Sequence, residues 1–230
     1  VVDVVLARRS DVRLGLIDID GESLAAVQAE RPDRIEIAVC DVSDRAAVSA
    51  AFEAVAGALP IVGLVTAAGI LHNRASVELD EADWSSVLGV HLDGTLWAAQ
   101  AAARSMTSHG VGGAIVNFCS VAMDFGWPKR LPYSVAKAGV AALTRTLAVE
   151  WAPDAIRVNA VSPGYVDTPM IRDAHTAGVL DADAKARAHA LGRLAQAVEI
   201  AEVVEFLLSE RSSFVTGEVV RVDGGFSVVK

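Results

Sequence analysis

A doubly wound α/β fold, one parallel sheet with helices on both faces, is what this sequence predicts, and three observations predict it. Strand-like apolar runs alternate with helical stretches along the chain. The run at 61–68, IVGLVTAA, is apolar almost throughout, the pattern of a strand covered on both faces. Residues with chemical potential recur where these runs end, at Asp18, Asp41, Gly69, Ser120 and Pro163-Gly164. Sheets of this kind bind ligands beyond the carboxyl ends of their strands.

Residues 1–9 read as the last part of a helix despite their valines, with Arg8 and Arg9 near the end where cations suit the helix dipole. Residues 13–18 (RLGLID) form a short strand and 21–30 the helix after it. A second strand spans 34–41 (RIEIAVCD), and Ser43 or Asp44 caps a helix running to about residue 58. After the 61–68 strand, helical sequence occupies much of 80–109, with a break expected near Gly89 or Gly94. Strand 113–120 follows. The helix over 133–151 is built of good formers, with Pro153 beyond its end. Strand 156–162 (IRVNAVS) stops at Pro163-Gly164, the stretch 165–191 reads as irregular, a helix covers 198–208 and a last strand 218–222. No repeat or linker interrupts the pattern, so a single domain over 1–230 is expected.

Composition narrows the function. At 230 residues, 53% hydrophobic and 21% charged, the chain can bury a sizeable core. No apolar run reaches the roughly 18–20 residues of a membrane span, so a cytoplasmic protein without a membrane role is expected. A net charge of -9 argues against a sequence-independent nucleic-acid binder. Cys40 and Cys119 lie in apolar runs without CxxC spacing and read as buried thiols in a reducing compartment. Five histidines without an HxxxH pair predict no metal site.

The chemically richest stretch is 115–137, IVNFCSVAMDFGWPKRLPYSVAK. Tyr133 and Lys137 are four apart and share a helix face; Ser120 closes the strand before them. Tyrosine is a poor acid or base near neutrality, and an adjacent ammonium would favour its phenolate. With a serine hydroxyl to hold a substrate oxygen, this outlines proton transfer at an alcohol or carbonyl. Asp18, with Ile19 beside it, ends the first strand. In a dinucleotide-binding fold an acid there takes the adenosine ribose hydroxyls and repels a 2′-phosphate, favouring NAD over NADP. Asp20 competes for that role, and Asp18 could also be a surface-loop acid or a helix cap. Asp41 and Val42 could receive the adenine or merely lead into the next helix. TAAG at 66–69 brings small residues, Ala68 and Gly69 among them, to where backbone approaches a flat ligand or turns tightly.

YSVAK at 133–137, with Ser120 thirteen residues earlier, resembles the classical short-chain dehydrogenase/reductases. So do CDVSD at Cys40, VTAAG at Val65, IRVNAVSPGYVDTP at Ile156 and VTGEVVRVDGG near the end, in the family's order. The resemblance implies a Rossmann-like fold and an NAD-dependent oxidoreductase, NADP being the less favoured cofactor, that moves hydride between nicotinamide and a secondary alcohol or ketone. Tyr133 would be the general acid/base, Lys137 would lower its pKa and hold the nicotinamide ribose, and Ser120 would orient the substrate oxygen. Pro163, Gly164, Val166 and Thr168 would lie along the nicotinamide. Asp18, Ile19, Asp41, Val42, Ala68 and Gly69 would line the adenosine side. A homotetramer or homodimer is implied.

Two departures stand out. The family's glycine-rich turn is absent, no glycine preceding Gly15, so the first strand and that turn, about 15–25 residues, are expected to be missing before Val1. His91 stands where the family usually has an asparagine that serves its proton relay; it would either keep the relay and add pH dependence or be a structural histidine. Met123, Phe125 and Trp127 favour an apolar or cyclic substrate, or pack on a neighbouring subunit, and 170–190 resembles the family's substrate lid. An NADPH-dependent reductase of 3-oxoacyl thioesters and a non-catalytic cofactor-binding homologue are the alternatives.

Overall fold

A computed structural model describes residues 1–176, 178 and 181–229. In chain order the main elements are α1 (Val2–Arg8), β1 (Leu14–Asp18), α2 (Gly21–Glu30), β2 (Ile35–Val39), α3 (Arg45–Ala56), β3 (Gly63–Thr66), α4 (Glu81–Leu88), α5 (Gly94–His109), β4 (Gly113–Phe118), α6 (Leu131–Glu150), β5 (Ile156–Pro163), β6 (Val166–Asp167), α7 (Pro169–Thr176), α8 (Ala182–Arg187), β7 (Ala195–Gln196), α9 (Ala197–Leu208) and β8 (Val219–Val222). The alternation predicted from the sequence is therefore present.

All pairings are parallel, in the orders β1-β2, β3-β4-β5-β8 and the short pair β6-β7. The expected sheet thus comes in hydrogen-bonded pieces, and among the described residues β1 and β3 do not pair with each other. Side-chain packing joins them instead: Ile17 and Ala38 pack against a core that also holds Ile115 and Val158. Strand alternation explains how both faces are covered. Ile115 points into that core, with Met106 and Leu147, while its neighbour Val116 points into a second cluster with Ile200, Val204 and Leu207 of α9.

The expected break in the 80–109 helix is a widened turn rather than an interruption. Gly89–Asp93 takes a π-helical turn between α4 and α5, a feature frequent at functional sites. Gly94 follows it where a Cβ would come within 2.9 Å of the Val42 side chain and carbonyl, so only glycine lets α5 pass that loop. Helix α6 starts at Leu131, earlier than predicted, because Pro132 is tolerated in a first turn that needs no amide donor. The segment expected to be irregular, 165–191, instead carries β6, α7 and α8. Pro169 opens α7, and Asp181 caps α8 by accepting the Ala184 amide at 2.9 Å. Of the expected lid, positions 177, 179 and 180 lie outside the described residues.

Candidate active site

Two elements bring the predicted proton-transfer residues together. Ser120 stands just beyond β4, and Tyr133 and Lys137 lie one turn apart on α6. A buried polar chain fixes α6 against the sheet: Thr66 Oγ1 donates to Asn117 Oδ1 at 2.9 Å, and Asn117 Nδ2 donates to Thr144 Oγ1 at 3.0 Å. Because Asn117 and Thr144 are both fully buried, leaving either unpaired would carry the full desolvation penalty, which makes the register of α6 on β4 specific.

Ser120, Tyr133 and Lys137 open on a cleft of about 790 Å³ that is also lined by His91, Ala68, Gly69, Pro163, Gly164, Val166 and Thr168. Lys137 is 5% exposed, and its ammonium lies 5.7 Å from the Tyr133 ring centroid and donates to the Phe118 carbonyl at 2.6 Å. Burial lowers its pKa from 10.5 to about 8. Burial also raises the Tyr133 phenol above its usual range, with the Ser120 hydroxyl and the Arg130 charge pulling it down. The adjacent ammonium is expected to favour the phenolate, but desolvation outweighs the charges near the phenol.

His91 sits in the π-helical turn, 3% exposed, its ring edge-on to Tyr133 with centroids 5.1 Å apart. Its Nε2 lies 2.8 Å from the Ile70 carbonyl oxygen and 3.1 Å from the Ile70 amide nitrogen, donating to one or accepting from the other according to tautomer. Nδ1 has no partner among the described residues. Burial first, and the Lys137 charge second, lower its pKa to about 4, so it is neutral throughout the physiological range. The pH dependence that a relaying His91 would add therefore lies below that range. Gly69 owes its identity to this packing, since a Cβ there would lie 2.6 Å from His91 Cε1.

The other predicted binding residues stay outside the cleft. Asp18 is exposed at the end of β1, its Oδ1 accepting the Asp20 amide at 3.0 Å. Asp20, not Asp18, caps α2, accepting the amides of Glu22 and Ser23. Ile19 is 69% exposed. Asp41 accepts the amide and hydroxyl of Ser43, which holds its carboxyl below the usual range, and Asp44 caps α3. Val42 packs against the core cluster rather than facing the cleft.

The sequence reading missed His189 and Tyr165. His189 is buried, accepts the Tyr165 amide through Nε2 at 3.1 Å and donates from Nδ1 to the Lys185 carbonyl at 2.7 Å, which fixes its tautomer. It thereby holds the turn after β5 in place, and a Cβ on Gly164 would meet its Nε2 at 2.7 Å. Counting histidine spacings could not find it, because its partners are backbone atoms, one of them 24 positions away. Lys137 offers the clearest fit to a nucleotide ribose: an ammonium has three donors, and one is used.

A family model described as enoyl-(acyl carrier protein) reductase matches residues 5–227. The chain is 43% identical to cis-4-hydroxycyclohexanecarboxylate dehydrogenase of Sinomonas cyclohexanicum over 196 residues, 82% of this chain and 75% of that protein. It is 38% identical over 228 residues, 97% of this chain and 98% of the relative, to a protein of Xanthobacter autotrophicus named inactive 2-(S)-hydroxypropyl-CoM dehydrogenase 2. A solved gluconate 5-dehydrogenase from Burkholderia cenocepacia, in complex with NADP and tartrate, superposes with a TM-score of 0.85 at 32% identity, covering 94% of this chain and 86% of that one.

Proposed function

Since the chain belongs to the short-chain dehydrogenase/reductase family and is an oxidoreductase by that membership, we propose that it is an NAD-dependent dehydrogenase of a secondary alcohol, with Tyr133 as its general base. The observation that carries this reading is the convergence of Ser120, Tyr133 and Lys137 from β4 and α6 on one cleft. Ser120 holds the substrate oxygen, Tyr133 removes the hydroxyl proton, and the Lys137 ammonium stabilises the phenolate and donates to ribose hydroxyls. The nicotinamide, when bound along Pro163, Gly164, Val166 and Thr168, supplies the hydride acceptor. His91 acts by position: neutral and buried, it carries the 69–70 turn beside Tyr133.

The exposed carboxylate of Asp18 favours NAD, because it can take two ribose hydroxyls and repels a 2′-phosphate. Asp41, Ile19, Ala68 and Gly69 complete the adenosine side in this reading, with Val42 packed against the core cluster. The name of the Sinomonas relative and the aromatic side chains at the cleft both support a cyclic secondary alcohol. Buried free thiols at Cys40 and Cys119 suit a reducing cytoplasm, and exposed Val149, Phe214 and Val228 suit assembly into a dimer or tetramer. Among the described residues no helix is long and apolar enough to cross a membrane.

A non-catalytic role, suggested by the name of the Xanthobacter relative, is opposed by the intact set of Ser120, Tyr133 and Lys137. The test is Tyr133→Phe, assayed with a panel of cyclic alcohols and both cofactors. Turnover should fall about 10²–10⁴-fold. Oxidation at the parent rate would refute the assignment, and preferential NADPH-dependent reduction of an acetoacetyl thioester would replace it with the thioester reductase.

A further inference from the structure

The chain carries a net charge of -9, yet the residues lining the cleft include Lys129, Arg130 and Lys137 and not one Asp or Glu. Lys137 is committed to Tyr133 and the Phe118 carbonyl. Arg130 has no such commitment. It is half-buried three residues before Tyr133, lies 5.6 Å from the Trp127 ring centroid, and among the described residues makes no ion pair. Acids on the neighbouring segments are already engaged: Asp124 with Arg221 at 2.9 Å, Asp167 with Arg172 at 2.9 Å, and Asp223 with the amides of Gly225 and Ser227.

The backbone that presents this arginine is itself unusual. Lys129 has φ 67°, a left-handed conformation that lysine seldom adopts, and its carbonyl is held by the Arg74 amide at 3.1 Å. The turn places Arg130 directly before the first turn of α6, on the same stretch of chain as the Tyr133 phenol. Next to it stands an aromatic wall. Trp127 stacks on Tyr165 with centroids 5.8 Å apart, and Phe226 closes edge-on against both at 6.2 and 6.0 Å.

An apolar wall, a reacting oxygen site at Tyr133 and an unpaired guanidinium beside both describe a ligand with three parts. We propose that the substrate is a ring-containing secondary alcohol bearing a carboxylate, and that Arg130 is the residue that recognises the carboxylate. A guanidinium suits this task because its planar fork meets a carboxylate with two parallel hydrogen bonds, and partial burial strengthens them. The proposal rests on the proposed function for the cyclic secondary alcohol and for the position of its oxygen at Tyr133; carboxylate recognition can be measured without turnover.

The test uses the full chain with NAD present and follows binding by tryptophan fluorescence, since Trp127 lines the cleft. The probes are cyclohexanecarboxylate and its neutral isostere cyclohexanecarboxamide. The parent should bind the carboxylate about 10- to 100-fold more tightly than the amide. Arg130→Met should bring the two to within a few fold, and Arg130→Lys should keep part of the preference. With cis-4-hydroxycyclohexanecarboxylate and cyclohexanol as substrates, the kcat/KM ratio should collapse in Arg130→Met by a similar factor, mainly through KM. Equal binding of the two probes by the parent, no binding of either, equal losses for both in Arg130→Met, or a weakened NAD affinity in place of a weakened carboxylate affinity would each overturn the proposal. If the carboxylate preference holds while Tyr133→Phe keeps full activity, the recognition stands and the proton-transfer reading alone fails.

Discussion

Around β4, β5 and α6 the candidate site side chains are buried and bonded to distant parts of the chain; around β1 and β2 they are exposed and bond only within their own turns. Lys137 reaches the Phe118 carbonyl nineteen positions away, and His91 reaches Ile70 across twenty-one. Asp18 and Asp41 accept from residues two positions on. The first region is preorganised by packing, so its geometry follows from the fold and its groups carry strong desolvation shifts. The second is a set of carboxylates whose chemistry depends on what approaches them from solvent. Substitutions in the two regions should therefore fail in different ways.

Lys137→Met offers the largest contrast. Turnover should drop about 10²–10⁴-fold, since the phenolate formed when Tyr133 acts as base would lose the ammonium beside it. Stability should move the other way. With a folded pKa of about 8 against an ordinary 10.5, the charged lysine is disfavoured in the fold, a penalty present in full below pH 8 and gone above about pH 10.5. Methionine removes that penalty but strands the Phe118 carbonyl, so a gain of about 1–2 kcal/mol is expected at pH 7. Urea unfolding at pH 7 and pH 10 checks the sign, because the gain should vanish or reverse at the higher pH. A variant destabilised equally at both would show that Lys137 is not a strained group.

His91→Asn probes the same region with a smaller effect. The unfolded chain takes up a proton near pH 6.5 and the folded chain only near 4, so the parent loses stability as pH falls through that window. Asparagine cannot titrate and can keep a bond to Ile70. Between pH 7 and pH 4.5 the parent should lose about 2 kcal/mol more than the variant, measured by denaturant midpoints. Parallel pH profiles would mean that His91 is already solvated when folded.

This contrast also decides what could be read from the sequence. The strand runs, the Tyr133–Lys137 spacing and the site's position at the strand ends were legible, because period and spacing alone generate them. The direction of the Tyr133 shift was not, since burial is a property of the packed whole and outweighed the charge visible in YSVAK. Helices α7 and α8 were hidden by mixed polarity in a short, exposed segment. The separation of the β1-β2 pair from the larger sheet, and the bond from Tyr165 to His189, depend on contacts far apart in sequence. Arg130 was in plain view in PKRLPY, but only the lack of a carboxylate partner among the described residues distinguishes it from any surface arginine.

The exposed region gives the smallest effect and the sharpest internal control, because two carboxylates two positions apart have different duties. Asp20 caps α2 through two amides, whereas Asp18 accepts a single amide and leaves its other oxygen to solvent. Asp18→Ala should change the NAD-to-NADP ratio of kcat/KM by about tenfold or more toward NADP, as a charge-assisted contact to ribose is lost and repulsion of the 2′-phosphate is lifted. Asp20→Ala should instead lower the melting temperature by unwinding the first turn of α2, with the cofactor ratio following only as far as α2 shifts. The pair separates binding from folding in a region where neither residue is buried. If Asp20→Ala moved the cofactor ratio more than Asp18→Ala did, the ribose contact would belong to the cap residue. The adenosine end would then be read one turn further along the chain, and the contrast with the packed end would narrow, because a single side chain would be serving both the fold and the ligand.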